Sequence, residues 1–281
     1  PSCDHGPMLL TPRYGPTAII TLDGDPAAVA EPCIRQRRRF LAMLQDLDED
    51  EWTHPSRCDG WSSRDVAAHL ASTNAFWEFA IRSGIDGSPT EMLATFDPVA
   101  TPAQMVADST WSTDEIVETF ATSSESLARL LRELQPADWT AQAEAPPGHV
   151  SVSAVVHHAL WDSWIHERDI ALPLGRTPPV ESDEVTASLR YVAALSPAIA
   201  IASGASERAA FDVSGSDPDT AFHVEIAADV LVTAGTKGAE LALTGSSVHL
   251  LEALSFRQPL EQAIPQELDW AFAGLATAFD R

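Results

Sequence analysis

The sequence predicts an α + (α+β) protein, in which an N-terminal four-helix bundle is followed by a small C-terminal α+β domain. Three observations predict it. Between residues 26 and 175, apolar residues recur at helical spacing in roughly four long segments that open on good cap residues. The stretch "PLGRTPPVESD" from Pro173 then has the composition of a linker. Beyond it, short runs alternate apolar and polar residues between Gly, Asp and Pro signals, as half-buried strands do. The expected boundaries are an irregular N-terminal arm (1–25), the bundle (26–175) and the α+β domain (182–281). A chain of 281 residues is long enough for two such cores.

The first residues, "PSCDHGPMLLTPRYGP", read as a loose, proline-broken arm without the charged start and apolar core of a secretory signal. "PAAVAEPCIRQRRRFLAMLQDL" is the first helix, with Pro32 expected to break or restart its first turn. Its basic cluster "RQRRRF" reads as one solvated face. Ser62 or Ser63 caps the second helix, "SRDVAAHLASTNAFWEFAIRSG", which Gly84 is expected to close. "SGIDGSPTEMLATFDPVATP" is a connection with room for one short helix.

The third helix, "STDEIVETFATSSESLARLLREL", opens at Ser112 or Thr113 with acidic residues in its first turn, as the helix dipole favours. The fourth, "SVSAVVHHALWDSWIHERDIAL", opens at Ser151 or Ser153 and stops before Pro173. In the second domain a helix around Glu184 to Leu195 precedes four strands, "AAFDVSG", "TAFHVEIA", "DVLVTAG" and "AELALTG", and two helices, "SSVHLLEALSF" and "QELDWAFAGLATAF".

Seventeen Lys+Arg against forty-one Asp+Glu give a formal charge of -24, which repels phosphate backbones and anionic lipid surfaces. Neither nucleic acid nor a membrane is an expected partner. Cys3, Cys33 and Cys58 are too few and too scattered for a disulfide framework, which points to a reducing cytoplasm. A monomer or homodimer is equally compatible with the sequence.

Chemistry concentrates in "WDSWIHERD". On a helix Asp162, His166 and Asp169 share one face, with His158 one turn earlier, among apolar and aromatic neighbours. Alone, Asp162-x-x-x-His166 reads as an ion pair worth about 0.2–0.5 kcal/mol on an exposed face. The second helix repeats the grouping as Asp65 and His69. His69, Asp162 and His166 together offer two imidazoles and one carboxylate, a set suited to Zn, Fe, Ni or Co that leaves a coordination position open. Asp65, His158 and Asp169 are candidates to orient the ligand imidazoles.

"PSRCDGWSSRDVAAHLA", followed about ninety residues later by "ALWDSWIHERDIALPLG", resembles the metal-binding bundle of the mycothiol-dependent maleylpyruvate isomerase family, within the wider DinB-like superfamily. "AELALTGSSVHLLEALSFRQPL" resembles that family's second domain, and the likeness covers roughly residues 28 to 280. The resemblance implies a divalent metal, usually zinc, on His69, Asp162 and His166, and mycothiol as the cofactor. It implies a cleft arginine at Arg257, although "SFR" stands where Gly-Arg is usual, "CDGW" replaces "CPGW", and Asp162 replaces the usual Glu. Cys58 reads as a small hydrophobe packed beside Trp61, not as a group at the metal.

The family chemistry implies a small-molecule thiol activated by the metal and attacking an electrophilic substrate. The expected reaction is thiol S-transfer, for example onto an activated sugar. Cis-trans isomerisation of maleylpyruvate type is the first alternative. The second is a thiol-independent metal hydrolase, with Asp65 or His158 as general base, or a non-catalytic metal-binding module.

Overall fold

In a computed structural model, which describes residues 10–97 and 100–278, the expected helices and strands are laid out around one large core that spans bundle and sheet and a smaller cluster within the bundle. Helix α1 (Ala30–Gln45) is followed by the short α2 (Glu49–Thr53) and by α3 (Ser63–Ile85). Next come α4 (Ala100–Asp108), α5 (Thr113–Glu133) and α6 (Val152–Ala171). α1, α3, α5 and α6 pack on one another as the bundle.

The bundle helices start where the hydroxyls stand. Ser62 accepts from the Asp65 backbone N–H while the Asp65 carboxylate accepts from the Ser62 N–H, and Ser112 and Glu115 form the same reciprocal box on α5. Ser151 caps α6 through the Ala154 N–H.

Several expectations are corrected by packing. Pro32 sits within the first turn of α1, where a proline forfeits no intrahelical bond, so the helix runs on. Gly84 does not close α3, which continues to Ile85. A Cβ at Gly84 would lie 2.1 Å from the Gln142 carbonyl oxygen, so the glycine permits close approach of a strand. The "RQRRRF" cluster is not one solvated face: Gln36 and Arg37 are buried and Arg39 is partly so. Arg39 bridges Glu167 and Glu184, Arg35 pairs with Glu184 and Asp183, and Arg37 donates to Asn74 and the Ala159 carbonyl. Charges that find such partners can leave water without a large penalty.

Three strands fall where none was expected. β2 (Gln142–Ala145) and β3 (Gly148–Ser151) form an antiparallel hairpin before α6. β1 (Ile20–Leu22), inside the segment read as an irregular arm, pairs in parallel with β6 (Val230–Ala234) in the C-terminal sheet. Residues 1–9 of that arm, Cys3 among them, lie outside the described residues.

The second sheet has the order β1-β6-β5-β4-β7, completed by β4 (Ala209–Ser216), β5 (Thr220–Ile226) and β7 (Leu241–Ser246). β4, β5 and β6 are antiparallel neighbours, whereas β7 runs parallel to β4. α7 (Ser182–Ala202), α8 (Ser247–Leu254) and α9 (Asp269–Ala278) pack against it and one another. α7 is long and apolar enough to cross a membrane, but 72% of that stretch is buried between the bundle and the sheet.

α8 ends in a way that matters for the site. The Phe256 N–H bonds to the Ala253 carbonyl and the Arg257 N–H to the Glu252 carbonyl, the two bonds of a Schellman stop. Phe256 takes the left-handed conformation, φ 58°, that this stop demands. Glycine adopts it freely; here phenylalanine does, at a cost of about 1–2 kcal/mol. The turn sends Arg257 back toward α6.

Candidate metal centre

α3 and α6 face each other and bring His69, Asp162 and His166 together, their ligand atoms all within 4.8 Å of one another. His166 Nε2 lies 3.5 Å from Asp162 Oδ1, and the His69 and His166 rings meet edge to face at 5.3 Å between centroids. The Trp61 ring also meets His69 edge to face, at 5.4 Å between centroids. Burial pushes the His69 pKa down to about 4, so its imidazole is neutral with a lone pair to offer.

His166 is held from behind. Its Nδ1 lies 3.0 Å from Asp169 Oδ2, which places the ring proton on Nδ1 and leaves Nε2 directed at Asp162. Asp169 is completely buried and receives Arg57 Nε at 3.0 Å, with Arg257 Nε and Nη2 each at 2.9 Å. Burial favours the neutral acid, but the His166 hydrogen bond and the Arg257 charge hold Asp169 well below the usual carboxylate range. Burial would likewise lower the His166 pKa, yet Cys58, Asp169 and Asp162 outweigh it and push it up to about 10. The pocket thus favours positive charge at the imidazole, which a divalent cation supplies as well as a proton does. The donor set and its geometry fit a metal ion of the zinc, nickel, cobalt or iron kind.

A second trio, Cys58, His166 and Asp169, is also close enough to hold a cation. It uses the opposite nitrogen of the same ring. Both oxygens of Asp169 already accept from guanidinium groups, and Arg257 Nη2 stands 3.5 Å from Cys58 Sγ, so a cation there would meet positive charge. The trio of His69, Asp162 and His166 is the better metal position.

Cys58 is therefore more than a hydrophobe beside Trp61, which corrects the sequence expectation. Its sulfur lies 3.2 Å from Asp169 Oδ2 and 3.6 Å from His166 Nδ1. The loop is seated there because the Arg57 backbone N–H donates to the Asp169 carbonyl and the Trp61 N–H to the Cys58 carbonyl. Sequence spacing carried no sign of this contact.

The other candidates go to different places. Asp65 is four residues from His69, but its Oδ2 accepts from the Ser62 N–H and hydroxyl and its Oδ1 lies 3.5 Å from Arg64 Nη1. It caps α3 and does not orient a ligand ring, so the sequence expectation is corrected. His158 is buried one turn from Asp162, with Nδ1 2.9 Å from the Tyr191 hydroxyl and its ring against Trp77 and Trp161. Burial lowers its pKa to about 4. Arg257 reaches the site through Asp169, as the α8 stop directs it. Beside His69 a cavity of about 40 Å³ opens between α3 and α4, lined by Ala68, Ser72, Thr73, Met105 and Val106 among others.

Fold and site together define a DinB-like helical bundle followed by an α+β domain. Residues 33–171 match the family described as mycothiol maleylpyruvate isomerase N-terminal domain. Two solved structures share the fold. One is a mycothiol-dependent maleylpyruvate isomerase, at 19% identity and a TM-score of 0.57; the other is a histidine-to-alanine mutant of the mycothiol-dependent maleylpyruvate isomerase, at 18% and 0.58. Each match covers 82% of this chain and 88% of the other. No curated protein matches the sequence.

Proposed function

We infer that this protein is a metal-dependent enzyme that uses a low-molecular-weight thiol, mycothiol, as nucleophile on a small electrophilic substrate. The observation that carries the reading is the convergence of His69, Asp162 and His166, three donors that leave a coordination position for a further ligand, on a bundle that matches the mycothiol isomerase family. When bound, the metal would supply Lewis acidity that favours the deprotonated form of a sulfur nucleophile. The chain's own residues do the rest. His69 presents a neutral lone pair, His166 would exchange its Nε2 proton for the metal, Asp162 offsets positive charge, and Asp169 fixes the orientation of the His166 ring.

The family match favours the isomerase form, in which the thiol adds, the adduct rotates and the thiol departs. The similar solved structures are of a maleylpyruvate isomerase. One observation favours S-transfer as a second reading. Arg57, Arg168 and Arg257 are already paired with Asp169 and Glu252, so their positive charge is offset before a dicarboxylate arrives, although Arg57 Nη2 and Arg168 Nη1 keep no hydrogen-bond partner among the described residues.

The test is incubation of the metal-loaded protein with mycothiol and either maleylpyruvate or an uncharged electrophile, following product and free thiol. Catalytic thiol with a rearranged dicarboxylate supports the isomerase. Stoichiometric thiol loss with an S-conjugate supports the transferase. Turnover without thiol would overturn both.

A further inference from the structure

Arg57 was not among the residues the sequence marked, yet it joins the metal site to the second domain. Its backbone N–H donates to the Asp169 carbonyl and its Nε to Asp169 Oδ1 at 3.0 Å. Its Nη1 reaches Glu252 Oε2, on α8, at 3.2 Å. Glu252 also binds Arg168 Nε at 2.6 Å and the Gln258 side-chain amide. Asp169 thus receives the second domain by two routes: directly from Arg257, and from Glu252 through Arg57. Only a planar fork with several fixed donors can grip two carboxylates on different elements in this way.

We propose that Arg57 is a positioning residue for the metal, making the orientation of ligand His166 depend on the docking of α8 against the bundle. Asp169 can fix the His166 ring only as firmly as Asp169 itself is fixed, and Arg57, one of the two arginines that fix it, answers to Glu252. Coupling of this kind is reciprocal: metal binding strengthens the contact between the domains by the factor by which that contact strengthens metal binding. The inference rests on the assignment of His69, Asp162 and His166 as the ligand trio, so its test must separate the two.

The probe is cobalt(II), whose ligand-field absorption reports the geometry of its donors, titrated into the metal-free full-length protein against a competing chelator. Arg57→Met is expected to weaken cobalt binding about tenfold and to shift the absorption bands, within the range of supporting-residue losses at metal sites. Arg57→Lys keeps the charge without the fork and is expected to shift the bands in the same direction. Arg190→Met, which removes an arginine paired with Asp23 and touches neither Asp169 nor Glu252, is the control, expected within twofold of the parent with unchanged bands.

If Arg57→Met fails to fold by circular dichroism, Arg57→Lys and Glu252→Gln carry the comparison. Parent-like bands and affinity in the folded Arg57 variants would overturn the proposal, as would an Arg190→Met effect of equal size. If His166→Ala binds cobalt as the parent does, the trio itself is wrong and the proposal falls with it. Loss of binding in His166→Ala beside unchanged Arg57 variants would sink the positioning role alone.

Discussion

Asp169 Oδ2 lies 3.0 Å from Nδ1 of His166, so one buried carboxylate decides which nitrogen of the ring faces Asp162. The arrangement is expensive to disturb, because the same carboxylate compensates two arginines.

Asp169→Asn is expected to weaken metal binding 10- to 100-fold, since an amide cannot hold the imidazole as the carboxylate does. It should also destabilise the fold by about 3–5 kcal/mol, because Arg57 and Arg257 lose their shared buried charge. Chelator competition and urea unfolding measure the two effects separately. An unchanged metal affinity would remove Asp169 from the site.

Cys58→Ala distinguishes the two possible cation trios. With the metal on His69, Asp162 and His166, the variant keeps the metal content of the parent and loses about 1 kcal/mol for its hydrogen bond to Asp169. Elemental analysis of the purified variant decides it: a fall in bound metal would move the ion to the Cys58 side of the ring.

Gly84→Ala adds a methyl group that would meet the backbone oxygen of Gln142 at 2.1 Å, where no flexible side chain can give way. A loss of about 1–3 kcal/mol is expected despite alanine's better helix propensity. Thermal unfolding measures it, and an alanine variant as stable as the parent would show that the β2–β3 hairpin is free to shift.

Asp212 accepts the backbone N–H groups of Lys237, Gly238 and Ala239, and lies 2.7 Å from His223 Nδ1. Burial alone would raise its pKa, but these donors pull it down to about 2. Its unfolded value is about 3.9, so its contribution is complete above that pH and is lost as the pH falls from about 4 through about 2. Asp212→Asn should be less stable at neutral pH by about 2 kcal/mol and should lose less stability than the parent across that acid window. Chemical unfolding at pH 7, 4 and 3 checks both, and parallel losses in the two proteins would contradict it.

The long bundle helices were legible because period and caps agree: Ser62, Ser112 and Ser151 stand where the apolar stripes begin. The strands from Ala209 onward were legible from alternation. The β2–β3 hairpin was not, because "QAEAPPGHVS" is short and largely buried on both faces, so it does not alternate. The ligand trio could be anticipated because Asp162 and His166 recur at i,i+4 and His69 lies on a second helix. The same spacing misled at Asp65, where a capping box produces an Asp four residues before a His. Arg57 and Cys58 sit in a loop, where contact with residues 112 and 111 positions away leaves no local pattern.

The pairing of Ile20–Leu22 with Val230–Val232 sets an order on how the chain acquires its structure. A chain emerging from the ribosome presents β1 first, and its partner arrives some 210 residues later. The bundle can close long before that, while β1 waits beside it with no ladder to join. Closing so long a loop adds to the entropy of the last step, and vectorial synthesis alone cannot complete the sheet edge. A protein cut at the linker near Pro173 would therefore yield a C-terminal piece with β6 exposed as a new edge, prone to pair with other chains.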